Sequence, residues 1–71
     1  MDDRARKVQE LRSATGLTQI QLAEAMKVAR STVSRWETGL QPIPDSSLQH
    51  LRLLVERFEQ AAVIDALKSQ L

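Results

Sequence analysis

The fold turns on the stretch Thr18-Gln19-Ile20-Gln21-Leu22-Ala23-Glu24-Ala25-Met26-Lys27-Val28-Ala29-Arg30-Ser31-Thr32-Val33-Ser34-Arg35-Trp36-Glu37-Thr38-Gly39. Thr18 with Gln21 three residues later has the form of a capping box, a hydroxyl at the N-cap and an amide reaching back. Leu22, Ala23 and Met26 then share one helical face, and this short helix ends near Lys27. A second short helix runs from about Arg30 to Glu37 or Thr38, with Val33 and Trp36 turned inward. Ser31, Ser34, Arg35 and Thr38 lie on its other side, and Arg30 stands at its leading end. Gly39 supplies the left-handed terminator.

Working outward, residues from Asp2 or Asp3 to Thr15 place Ala5, Val8, Leu11 and Thr15 at helical spacing, with acids at the start and Gly16 as the stop. On the other side, Pro42 and Pro44 hold a loop extended, and Asp45 or Ser46 caps the next helix. No Gly or Pro follows from Asp45 to Leu71. Leu48, Leu51, Val55, Phe58 and Ala62 form one apolar stripe, after which Val63, Ile64, Leu67 and Leu71 point roughly the opposite way. Either the helix breaks near residues 57–61 or one long helix carries two apolar faces.

The bulk properties agree with an all-α chain. Seventy-one residues, 42% hydrophobic, make one small domain over 1–71 and leave no room for a barrel or a doubly wound sheet. One Trp, one Phe, no Tyr, two Gly and two Pro are too few for a small β-sandwich. Without Cys there is no disulfide scaffold and no Cys-ligated metal. His50 is the sole His and lacks acids placed to complete a metal site or triad, so neither metal nor cofactor is expected. No Gly-rich phosphate loop is present, and nothing supports an enzyme. The longest aliphatic run, Ala61-Ala62-Val63-Ile64, is far below the roughly 20 residues of a membrane span. With a charged start and no apolar leader behind it, the chain is expected to be cytoplasmic. Net charge is +1, but residues 1–40 carry seven Lys/Arg against five Asp/Glu, and residues 41–71 carry three against four. Ordinary solvated faces explain so slight an asymmetry as well as a binding patch does.

Two short helices joined by a three-residue turn form the helix-turn-helix pattern, here with its core at residues 18–38. The stretch from Leu11 to Leu54 resembles the lambda-repressor-like (Cro/C1-type) family of phage repressors, plasmid regulators and antitoxins. The likeness rests on Leu11-Arg12, Gly16-Leu17-Thr18-Gln19, Leu22-Ala23, Val28, Ser31-Thr32-Val33-Ser34-Arg35-Trp36-Glu37 and Gly39, then Pro44, Leu48, Leu51 and Leu54. Two positions depart from the pattern: Lys27 stands where Gly is usual, and Ala29 where Ser or Thr caps the reading helix. The resemblance implies a five-helix domain that regulates transcription by binding double-stranded DNA.

A reading helix must present groups that bond base edges in the major groove. Arg30 and Arg35 can each make two bonds to guanine, and Ser31 and Thr32 are short enough for close approach. The resemblance assigns base reading to the positions of Arg30, Ser31 and Arg35. It assigns a phosphate contact to Gln19, beside Thr18 at the start of the second helix, where free N–H groups favour anions. Ser34 and Thr38 are further phosphate candidates. It also makes Arg12 and Glu37 an ion pair tying the first helix to the third. Trp36 reads as core.

Because one short helix reads only about 3 to 5 base pairs, a homodimer on a palindromic operator is expected. The tail, about residues 56–71, is its candidate interface through Phe58, Ile64, Leu67 and Leu71. The resemblance implies a repressor encoded by a prokaryote, phage or plasmid and associated with the nucleoid. The alternative is an antitoxin that represses its own operon and binds a toxin through the same tail.

Overall fold

The computed structural model describes the backbone of residues 3–69 and the side chains of residues 3–59. Four helices follow one another: α1 (Asp3–Thr15), α2 (Gln19–Met26), α3 (Arg30–Thr38) and α4 (Asp45–Ser69). The expected fifth helix is therefore absent among the described residues. Its place is taken by the continuation of α4, which runs unbroken for 25 residues. With no Gly or Pro to interrupt the hydrogen-bond ladder, a change of apolar face alone does not end a helix.

Each helix end has a local cause. At the end of α1, Gly16 takes φ 73°, and its N–H donates to the carbonyls of Arg12 and Ser13 at 3.2 and 3.1 Å. Thr18 opens α2 with the reciprocal box: its Oγ1 accepts from Gln21 N–H at 3.1 Å, and its N–H donates to Gln21 Oε1 at 3.0 Å. Lys27 closes α2 in the left-handed region at φ 59°, ψ 43°. Val28 N–H then donates back to Ala23 carbonyl at 2.9 Å, a Schellman-type closure with half-buried Val28 as its apolar residue. Ala29 precedes α3 with no side-chain cap, and Gly39 ends that helix at φ 81°. The cap of α4 differs from expectation. Pro44 holds the N-cap position, its carbonyl accepting from Leu48 N–H at 2.9 Å, so Asp45 is the first helical residue. The Asp45 carboxylate instead meets Arg4 at 2.7 Å.

The core lies where α1, α3 and the first part of α4 meet, with α2 packed on α3. Val8, Leu22, Ala23, Met26, Val33, Trp36, Ile43 and Leu51 are buried together, and Leu11, Leu17, Val28, Leu48 and Leu54 pack around them. Each large aliphatic in this set contributes about 1.5–3 kcal/mol by leaving water. Trp36 supplies the largest ring at the cost of an indole N–H that is buried without an acceptor among the described residues. Ile43 comes from the loop between the two prolines and is fully enclosed. Arg4 pins that loop from outside, donating from Nη1 to the Ile43 carbonyl at 2.7 Å. Val55 is the last buried residue described on α4; residues 56–59 are exposed.

Candidate nucleic-acid interface

α3 is nine residues long and divides cleanly between two surroundings. Val33, Trp36 and Glu37 are buried; Arg30, Ser31, Arg35 and Thr38 are exposed; Thr32 and Ser34 sit at the boundary, half-buried. This follows from helical geometry, since residues three apart at 33 and 36 anchor one side and leave 31 and 35 on the other. The four candidate base readers Arg30, Ser31, Thr32 and Arg35 thus share one short helix. Arg35 lies on its open side and Arg30 at its leading end, and both residues are exposed.

The start of α2 is the second part of the site. The first turn of a helix has N–H groups without intrahelical partners. The capping box uses those of Thr18 and Gln21, which leaves the N–H groups of Gln19 and Ile20 as donors for an anion. Thr18 Oγ1 accepts from Gln21, so its hydroxyl hydrogen stays available. The Gln19 side chain is placed differently from a free phosphate donor. Its Nε2 donates to Glu37 Oε2 at 2.6 Å, which commits one of its two amide hydrogens. Thr38, at the far end of α3, donates its hydroxyl to Arg35 carbonyl at 3.3 Å, while Ser34 sits half-buried in the middle.

Arg12 and Glu37 do meet. Arg12 Nε donates to Glu37 Oε1, and Nη2 to Oε2 at 3.3 Å. The remaining Arg12 nitrogen, Nη1, donates to Leu17 carbonyl at 3.1 Å, in the turn before Thr18. A further bond joins α1 to α3: Gln9 Nε2 donates to Glu37 carbonyl at 2.6 Å. Gln9 and Arg12 are three apart on α1 and therefore face the same neighbour, a signal present in the sequence that the motif alone does not flag. A buried ion pair has an uncertain net stability because desolvation offsets attraction. Here the extra donors satisfy the carboxylate and make a well-defined joint.

Of the candidate interface residues in the tail, Phe58 is 39% exposed; Ile64, Leu67 and Leu71 lie outside the residues whose side chains are described. Among the described residues, no group of three or more His, Cys, Asp or Glu could hold a metal ion. Among the described residues, no helix is long and apolar enough to cross a membrane either.

Residues 5–67 match the helix-turn-helix domain family, which covers most of the chain. A 33-residue segment is 52% identical to the HTH-type transcriptional activator BcrR of Enterococcus faecalis. That segment is 46% of this chain and 16% of the relative, so the chain spans about a sixth of the curated relative it matches. No solved structure matches the chain. Pattern, geometry and family match converge on the same unit, and the chain belongs to the helix-turn-helix domain family.

Proposed function

We propose that the chain is a sequence-specific regulator of transcription that reads double-stranded DNA with α3 and holds the backbone with the first turn of α2. The observation that carries this reading is the division of α3: Ser31 and Arg35 are exposed on one side, Val33, Trp36 and Glu37 are buried on the other, and Arg30 is exposed at the leading end. Guanidinium and hydroxyl groups are the chemistry that base edges accept, and a helix is what the major groove admits. Arg30, Ser31, Thr32 and Arg35 face the bases in this arrangement. Thr18 and Gln19 meet one phosphate, and Ser34 and Thr38 lie along the backbone.

The chain acts as a homodimer on a palindromic site, because a nine-residue helix reads few base pairs and a second copy about 34 Å away doubles the contacts. It represses by occupying the operator. The likeness to a protein named as an activator extends over 33 residues, too short a segment to carry the direction of regulation. Selection of bound sequences from random duplex DNA at a fixed salt concentration tests the reading. Recovery of a two-fold symmetric consensus supports it, and recovery of no enriched sequence contradicts it.

A further inference from the structure

Glu37 is 6% exposed and joins three helices at once. Its carboxylate accepts from Arg12 of α1 and from Gln19 of α2, and its carbonyl accepts from Gln9 of α1. Arg12 also holds the Leu17 carbonyl, immediately before the Thr18 cap. An ion pair alone would tie α1 to α3. The Gln19 bond adds the phosphate-facing turn to the same joint, and Glu37 lies two residues after Arg35.

The other end of α3 is joined to α2 by the backbone closure at Lys27 and Val28, with no side-chain hydrogen bond to another helix among the described residues. Ala29 gives it no side-chain cap, and Arg30 and Ser31 are exposed. Besides the packing of Val33 and Trp36, the Gln19–Glu37 bond is thus the polar contact described between this short helix and the start of α2. A duplex offers phosphates and base edges at set spacings. A reading helix that pivots slightly keeps its attraction to the phosphates and loses its alignment with the bases. The same bond also removes rotamer freedom from Gln19, a long side chain that would otherwise be ordered only on DNA.

Resting on the DNA reading above, we propose that Glu37 is a positioning residue for recognition. Through Gln19 it sets the α2 phosphate anchor and the α3 reading face in one frame, so that both residues govern which sequence is preferred as well as how tightly DNA is held.

The test measures affinity for the selected duplex and for random duplex, with the full chain as wild type, Gln19→Leu, Glu37→Gln and the double variant, alongside thermal melting. A lost phosphate contact lowers both affinities alike and leaves their ratio unchanged. A lost positioning contact lowers the ratio. The expected result is a fall in the selected-to-random ratio of about threefold or more in each single variant, with the double variant no worse than the worse single one. If both folded single variants keep the wild-type ratio, Glu37 is only a structural partner and the inference is overturned. If Glu37→Gln fails to fold, Gln19→Leu decides alone, because it leaves the Arg12–Glu37 pair in place. Wild-type protein that binds no duplex would overturn the DNA reading and this inference together, whereas binding with an unchanged ratio overturns this inference only.

Discussion

Arg35 and Glu37 stand two positions apart on α3 and face opposite worlds, one open to solvent and one almost wholly enclosed. Arg35 can make a two-pronged contact with guanine, so Arg35→Ala should cost about 1–3 kcal/mol on the selected site and relax the preference at one position of each half-site. Fluorescence anisotropy on duplexes varied at single positions checks this. Uniform loss across all sequences would make Arg35 a phosphate contact instead. At this scale, helical spacing made most of the inward set legible. Val8, Leu22, Ala23, Met26, Val33, Trp36, Leu51 and Val55 are buried and Ala5, Leu11, Thr15 and Leu48 half-buried, whereas Phe58 is exposed and Ala62 lies outside the described side chains. The Arg12–Glu37 pair was legible only through the family likeness. Ile43 was not legible, because a single apolar residue between two prolines has no periodicity to read. The third partner of Glu37 was also hidden: Gln19 is 18 residues away in sequence, and its reach depends on how α2 packs on α3.

The turn between α2 and α3 is the element where the chain departs from its own rules. Lys27 adopts the left-handed conformation that costs a side-chain-bearing residue on the order of 1 kcal/mol, and the bonds from its N–H and from Val28 N–H hold it there. Lys27→Gly should accordingly raise the melting temperature, by a gain of up to about 1 kcal/mol that is offset in part by the freer unfolded chain. Thermal unfolding followed by circular dichroism checks it, and a lower midpoint would mean that the lysine side chain contributes more than its backbone strain costs. Both departures, Lys27 and Ala29, were legible against the family pattern, in which glycine and a hydroxyl are usual at those positions. The extent of α4 is not. A stripe that switches faces is compatible with a break or with continuation, and continuation prevails where the intervening residues are ordinary helix formers.

On the scale of the whole molecule, the long axis measures 47 Å against 22 and 18 Å for the others. α4 continues past Val55, its last described buried residue, and Leu53 and Phe58 stand 49% and 39% exposed on it. If the tail joins two copies, replacing Ile64 and Leu67 together with Glu should leave helicity and melting cooperativity largely intact. It should also weaken self-association, and operator affinity should fall with it because the two equilibria are linked. Sedimentation equilibrium decides this. An unchanged dimer would move the interface elsewhere, for instance to the loop where Leu40 is 82% exposed. Loss of the fold would instead show that the tail belongs to the core. The central claim, that this chain holds duplex DNA and reads its bases with α3, has a more direct test. It is the equilibrium affinity of the full chain for its selected duplex, measured across a series of salt concentrations. Each phosphate that a Lys or Arg neutralises releases counterions, so log K should fall linearly with log salt at a slope of about −0.9 per phosphate neutralised. A flat response, or equal affinity for selected and random duplexes at every salt concentration, would contradict it.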